Sequence, residues 1–339
     1  MNSDFEVAVI GGGIIGLTTA ALLSERGIDT LLVERTRCGY AGATAHTGGI
    51  CRTFEPNPAL ARMAQVVGLK PGETEVEAIM RRHETVTGAL YRLPADGPPP
   101  SSDAPLRRLS AHEAQVLVGR PIADSGAYYH EATAAVSDVH STMNGLRTAL
   151  RQRGCLIERC DVQRLMERNT HVEIHSQETL YRARWVINAA GAGSPALSLI
   201  DDSQVRTLPY FKFRGPSVPT LPCIDFVAGT YALPLSDTLL QSTTAIRPSL
   251  EEIEGDRRHL RLMVEDCRQR LRGLLGETDE YSLLSMDLAT DLYTADGLPR
   301  LGAQYPGSRI WLATGLNGVG YKYAYPIASR LYDQIARSR

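Results

Sequence analysis

The stretch that decides the fold is Phe5–Glu34, FEVAVIGGGIIGLTTAALLSERGIDTLLVE. Phe5–Ile10 is a short β-prone run, and Gly11-Gly12-Gly13 predicts a turn. Ile14–Arg26 carries apolar residues at helical spacing until Gly27 ends it. Thr30–Val33 reads as a second strand, closing with Glu34. A strand, a helix and a strand in so short a span require a parallel pair joined by a right-handed crossover. Gly11-x-Gly13-x-x-Gly16 sits between the first strand and the helix. The first glycine makes the tight turn, the second lets a pyrophosphate approach the backbone, and the third lets the helix pack on the strand. Free N–H groups at the helix start favour an anion. Glu34 lies 18 residues beyond Gly16, at the end of the second strand. A carboxylate there accepts both hydroxyls of an adenosine ribose and disfavours a 2′-phosphate. The residues predict a dinucleotide site, and not one for NADP.

Residues 7–23 are apolar enough to suggest a leader or a membrane span. Against that, Asp4 and Glu6 precede the run without a basic residue, and a block of three consecutive glycines, Gly11–Gly13, interrupts it. Its 17 residues also fall short of the roughly 20 that cross a bilayer. The expectation is a cytoplasmic protein. The chain's 339 residues suggest about two domains, and 43% hydrophobic with 22% charged residues is the balance of a globular protein, which excludes disordered and collagen-like chains. With 36 basic and 38 acidic residues, net −2, no charge excess points to nucleic acid or a membrane surface. Cys38, Cys51, Cys155, Cys160, Cys223 and Cys267 are scattered without metal-ligand spacing, so free thiols and no metal are expected. The basic residues include only three lysines, Lys70, Lys212 and Lys322. A lysine kept in so arginine-rich a chain merits attention, because the two are not interchangeable at a site.

Further along, Pro94–Ser102 reads as a Pro-rich surface loop and His140–Arg153 as a helix. Leu156–Val162, Val172–His175 and Arg184–Ala189 read as strands, the last running into a small-residue turn through Gly193. Phe226–Leu235 and Leu239–Ile246 read as two antiparallel strands joined at Ser236-Asp237, and Ser249–Leu275 as one long amphipathic helix. Ile310–Thr314 is a strand and Ala324–Arg337 a closing helix. Between them Gly315–Lys322, GLNGVGYK, is a glycine-rich loop entering a helix, with backbone N–H groups aimed at whatever it faces. Nucleotide-type segments therefore lie at the start, middle and end of the chain.

In this order and spacing the chain resembles the D-amino-acid-oxidase-like flavoproteins, in particular the sarcosine oxidase, glycine oxidase and dimethylglycine dehydrogenase branch. The resemblance rests on 11–35, GATAHTGGICR at 42–52, VINAAGAGSPAL at 186–197, TYALP at 230–234, YTADGLPRLG at 293–302 and GLNGVGYK at 315–322. It implies an α/β fold with a Rossmann-type FAD-binding domain assembled from separated segments, 1–75, 135–205 and 295–339. The rest, 76–134 and 206–294, would form an α+β substrate domain with an antiparallel sheet. The resemblance implies FAD contacts at Gly11, Gly13, Ile14, Ile15, Gly16, Glu34, Arg35, Ala43, Thr44, His46, Val162, Gly191, Gly315, Asn317, Gly318, Val319, Gly320 and Lys322.

The same resemblance gives Arg52 and Lys322 as the two cations that hold a substrate carboxylate, one a planar fork and the other a point charge. Tyr231 matches an active-site tyrosine. His46 falls where dimethylglycine dehydrogenase relatives attach flavin to histidine, but Ala45 stands where they have tryptophan. Two readings stand, a non-covalent histidine beside the flavin or a histidyl link. The cysteine that binds flavin in sarcosine oxidase relatives is absent from Asp291-Leu292-Tyr293-Thr294. Their oxygen-activating lysine would fall near Gln241, leaving Lys212 as the remaining candidate, so dioxygen and another electron acceptor both stand. His83, His130 and Asp225 are expected to be structural or exposed. The implied activity is oxidation of the C–N bond of a small amino or imino acid by hydride transfer to flavin N5, giving an imine. An FAD-dependent 2-hydroxy-acid dehydrogenase, with His46 as base, and a non-catalytic nucleotide-binding protein are the alternatives.

Overall fold

The computed structural model describes residues 4–97, 105–123 and 125–338; residues 98–102 of the Pro-rich stretch lie outside the described residues. The opening unit forms as read: β1 (Phe5–Ile10), α1 (Ile14–Glu25) and β2 (Thr30–Glu34). β1 and β2 pair in parallel, Val7 opposite Thr30 and Ile10 opposite Val33. Leu156–Glu158 joins β2, Leu180–Asn188 joins β1, and Ile310–Thr314 joins Leu180–Asn188, all in parallel. The parallel core of the first sheet thus draws strands from the start, middle and end of the chain. Antiparallel strands Val162–Glu167, Val172–Ser176 and Arg300–Ala303 complete it.

Every residue from Ile14 to Leu23 is buried. The sheet, Val139–Gln152 and Ala324–Ser338 enclose α1. A helix buried all round needs no polar face, which is why this segment mimics a membrane span in sequence. Among the described residues no helix is long and apolar enough to cross a membrane.

The second sheet has eight strands, running from Ser282–Thr294 through Ser203–Arg214, Leu239–Ser242, Thr230–Ser236, Cys223–Asp225, Ala89–Leu93 and Ala127–Glu131 to Leu106–Leu109. It is antiparallel except where Cys223–Asp225 runs parallel to Ala89–Leu93. One face sends Phe211, Phe213 and Leu240 into a core with Met263, Cys267 and Leu271 of the helix Arg258–Leu275. The other face presents Leu208, Tyr210 and Tyr231 to a cleft. A three-stranded sheet of Ile50–Cys51, Ala135–Ser137 and Glu84–Val86 lies apart from both.

Several elements differ from their reading: the strand expected over 239–246 ends at Ser242 and the one expected from Arg184 begins at Leu180, and three more differ for a visible reason. The helix expected over 249–275 is two, Leu250–Gly255 and Arg258–Leu275. Asp256 is extended between them and its carboxylate accepts the Arg258 N–H at 2.9 Å, so it starts a new helix rather than continuing the old. The strand expected over 156–162 stops at Glu158, where Arg159 turns the chain with φ +61°, and Val162 begins the next strand. The strand expected from Phe226 begins at Thr230, because the Asp225 carboxylate accepts the N–H groups of Val227 and Ala228 and bends 226–229 into a turn.

Candidate active site

The parallel strands end together on one side, and ligands of open α/β sheets bind beyond such carboxyl ends. There Gly11, Glu34, Ala189–Gly193 and Thr314–Gly315 line a cleft of about 970 Å³. The glycines are required by contact. A Cβ on Gly11, at φ +106°, would lie 2.5 Å from the Ala189 carbonyl oxygen. One on Gly16 would lie 1.9 Å from the Gly11 carbonyl oxygen, inside the contact of α1 with its own entry turn. Glu34 accepts N–H bonds from Gly12 at 2.7 Å and Thr36 at 2.7 Å, so its carboxylate also ties the glycine turn to β2. Thr44 Oγ1 accepts the Ile14 N–H at 3.1 Å and holds the 43–45 turn over the start of α1. On the far wall Asn317, at φ +52°, accepts the Thr294 N–H at 2.9 Å, and Gly318 donates to Asp291 at 2.8 Å. These bonds anchor the glycine loop to the end of the longest strand of the second sheet.

Most of the expected cofactor residues meet at this cleft. Arg35, Ala43, Gly191, Gly315, Gly318 and Gly320 line it along with Gly11, Gly13, Ile14, Ile15, Glu34 and Thr44. Gly16 acts behind it, at the helix contact. Asn317, Val319 and Lys322 line the adjoining cavity instead. Val162 is buried with Ile10 and Val33 in the core of the first sheet, away from the cleft lining. His46 lines neither cavity; its ring stacks on Tyr210 at 6.1 Å between centroids. A carboxylate at the ribose position, a glycine cradle that a Cβ would fill and a second glycine loop across from it fit an FAD, which Gly11–Gly16, Glu34, Thr44 and Gly315–Gly320 would hold.

The adjoining cavity, about 1020 Å³, is continuous with the cleft through Thr47, Leu208, Tyr210, Gly318 and Tyr321. Arg52 and Lys322, from opposite ends of the chain, both line it. Between them lies a group the sequence reading missed, the buried Glu55. Its carboxylate is 2.6 Å from Lys322 Nζ and 3.5 Å from Arg52, and it accepts the Tyr323 hydroxyl at 3.1 Å. Burial opposes the charge on Glu55, but Lys322 and Arg52 outweigh it and hold the carboxyl below its usual range. Burial, with Arg52 beside it, pushes the Lys322 ammonium down to about 7 against the pull of Glu55. The fully buried Glu131 shapes the loop that carries Arg52, accepting N–H bonds from Thr53 at 2.8 Å and Phe54 at 3.1 Å and the Tyr91 hydroxyl at 2.6 Å. Arg52 lies over Phe226, 5.4 Å from its ring centroid.

Tyr231 lines the same cavity and accepts an N–H from Gln241 at 2.9 Å. Lys212 pairs with Gln241 across neighbouring strands, but its Nζ is 3.1 Å from Asp287 and the side chain is 42% exposed, lining neither cavity. His83 and His130 also lie outside both linings. Asp225 lines the cavity with its carboxylate bound by Arg92 at 2.8 Å. Arg247, which sequence reasoning did not select, lines this cavity too. Among the described residues no group of histidine, cysteine and acidic side chains could hold a metal, and the six cysteines are free thiols.

The fold and the glycine cradle define an oxidoreductase built around a dinucleotide. A family model, FAD dependent oxidoreductase, matches residues 6–334, and the chain belongs to that family. It is an FAD-dependent oxidoreductase, and the reading as a non-catalytic nucleotide-binding protein falls. Among solved structures, glycine oxidase from Geobacillus kaustophilus superposes with a TM-score of 0.78 at 18% identity, covering 98% of this chain and 95% of that one. L-proline dehydrogenase from P. horikoshii gives 0.77 at 16% identity, covering 100% and 95%. NikD, an amino acid oxidase essential for nikkomycin biosynthesis, gives 0.75 at 17% identity, covering 99% and 94%. These likenesses establish the shared fold. No curated protein matches the chain by sequence.

Proposed function

We propose that the chain oxidises the C–N bond of a small amino or imino acid to an imine. Bound FAD supplies the hydride acceptor, flavin N5. The carrying observation is the convergence of Arg52 and Lys322 on one wall of the cavity that opens from the cofactor cleft. With Glu55 ionised they hold one net positive charge once Lys322 is protonated, below about pH 7, and an incoming carboxylate favours that proton. Arg52 has the planar fork for a bidentate contact and Lys322 adds a point charge. Tyr231, with its phenol oxygen fixed by Gln241, orients the substrate. Leu208, Tyr210, Ile224 and Phe226 give the cavity an apolar wall, which disfavours a charged amine against it and favours the neutral form that can release hydride. That the fold neighbours named above are an amino acid oxidase, a glycine oxidase and a proline dehydrogenase supports the substrate class. The 2-hydroxy-acid alternative needs a base near the hydroxyl, and His46, stacked on Tyr210, leaves that role unfilled.

The domain division read from sequence, 1–75, 135–205 and 295–339 against 76–134 and 206–294, is proposed on the same basis. The test of function is bleaching of the flavin absorbance on anaerobic addition of amino and imino acids. Arg52→Ala and Lys322→Met should keep their flavin but bind a carboxylate inhibitor about ten- to a hundredfold more weakly. Normal inhibitor binding and normal reduction in both variants would refute the proposal.

A further inference from the structure

The substrate cavity carries more positive charge than one carboxylate uses. Its charged lining residues are Arg52, Lys322, Arg247 and Asp225. Asp225 is already spent, with Arg92 at 2.8 Å on one oxygen and the N–H groups of Val227 and Ala228 at 2.8 and 2.9 Å on the other. Glu55 offsets one of the pair Arg52 and Lys322. Arg247 has no such partner. Its hydrogen bond is a 3.5 Å contact to Thr243 Oγ1, and among the described residues no carboxylate lies within ion-pair distance of it. The field of Asp291 reaches Arg247. That carboxylate, however, accepts the N–H groups of Leu292 and Gly318 and lines the cofactor cleft, not this cavity.

The neighbours of Arg247 suit an anion. Tyr231 stands on the same cavity wall, and because its oxygen already accepts from Gln241, its own O–H is left to donate. Burial pushes that phenol up to about 12, so it stays a donor at neutral pH. Tyr293 lines a further cavity that Arg247 shares, and its buried hydroxyl has no hydrogen-bond partner among the described residues. Arg247 enters from the segment after Leu239–Ser242, whereas Arg52 and Lys322 enter beside Ile50–Cys51 and before the last helix. The cavity therefore offers two separately built cationic positions. Arg247 is half-buried and faces this cavity with no carboxylate partner among the described residues, so a second anion there would meet a free guanidinium.

Resting on the amino-acid reading above, we propose that the substrate carries a second carboxylate, held by Arg247 and Tyr231, in addition to the one at Arg52 and Lys322. The class is an acidic amino acid or an N-carboxymethyl amino acid. Isosteric pairs test it on the FAD-loaded enzyme: aspartate against asparagine and glutamate against glutamine in both enantiomers, and iminodiacetate against its monoamide. The expected result is a kcat/KM for the best acid about ten- to a hundredfold above that of its amide. In Arg247→Gln that ratio should fall to about one, and Arg247→Lys should restore part of it. Calorimetric titration with succinate and glutarate against their monoamides reads the same subsite without turnover, with the same loss in Arg247→Gln. An acid no better than its amide, or a preference that survives in Arg247→Gln, overturns the proposal. If none of the pairs reduces the flavin while another amino or imino acid does, the second-carboxylate proposal fails and the amino-acid reading stands; if no amino or imino acid does, the amino-acid reading fails, and the calorimetric ratio alone decides for or against the second anion position.

Discussion

Replacing Glu55 by Gln removes a charge, keeps the shape, and should destabilise the protein in a pH-dependent way. The carboxylate lies 2.6 Å from Lys322, 3.1 Å from the Tyr323 hydroxyl, 3.2 Å from the Asn57 N–H and 3.5 Å from Arg52. In the fold Lys322 titrates at about 7, below its ordinary 10.5. Between those values the unfolded chain holds a proton the folded chain lacks, so the stability carried by the neutral lysine is full above 10.5 and declines as pH falls toward 7. Glu55 is what stops the decline near 7. Without it the folded value drops further and the loss continues into acid. At about pH 9 Lys322 is neutral in both proteins, so the variant loses hydrogen bonds and the 3.5 Å pairing with Arg52, about 1–3 kcal/mol. At about pH 6 the wild-type lysine has gained its proton beside Glu55 whereas the variant's, held lower, has not, so the loss should exceed the alkaline one by about 1.4 kcal/mol, the worth of one pH unit below 7. Urea unfolding at the two pH values, each with saturating FAD, gives both numbers from midpoints at constant slope. Equal losses at the two pH values, or a larger loss at the alkaline one, would refute the ion-pair reasoning.

Two further outcomes follow from the cofactor cleft. Gly16→Ala places a Cβ 1.9 Å from a backbone oxygen that no rotamer change can move, so α1 must shift off its entry turn; a loss of about 3 kcal/mol and purification without flavin are expected, and a melting temperature and flavin content like the wild type would show the contact to be soft. FAD should come free on acid precipitation, since the His46 ring is turned to Tyr210 and Asp291 occupies itself with Gly318. Flavin fluorescence remaining on the denatured polypeptide would falsify this, and its loss in His46→Ala would locate the link.

What was legible in the sequence is what depends on local backbone. Gly16 is demanded by a contact inside its own turn and Gly11 by its positive φ, even though the wall that excludes a Gly11 Cβ is Ala189 of a distant strand, so the spacing announces the cradle. The glycine loop at 315–320 is similar, a positive-φ segment at a strand end. Charge balance was not legible in the same way. Two cations in one cavity require an anion, and the sequence offers many acids for it. That the answer is Glu55, three residues beyond Arg52, depends on how the loop 52–55 curls over Glu131, which lies 76 residues beyond Glu55 in the chain. Proximity in sequence was the available signal. Arg247 was hidden for the opposite reason, being one of many arginines and distinguished only by the partner it lacks. The broken helix at Asp256 and the turn at Arg159 show the ordinary limit of periodicity, which carries across a capping residue without registering it.

The enclosure of α1 has a consequence during synthesis. α1 leaves the ribosome with ten consecutive residues destined for burial, but one of its covers, Ala324–Ser338, follows about 300 residues later. At about 5–20 residues per second, the intervening chain takes on the order of tens of seconds to appear. Through that time an apolar cylinder without a polar side waits uncovered, and the strand Ile310–Thr314 that completes the parallel core is also still to come. The chain can build its nucleotide turn at once but cannot shelter α1 until Ala324–Ser338 emerges, so a nascent chain, or one truncated before residue 324, presents to chaperones a segment that is buried in the finished protein.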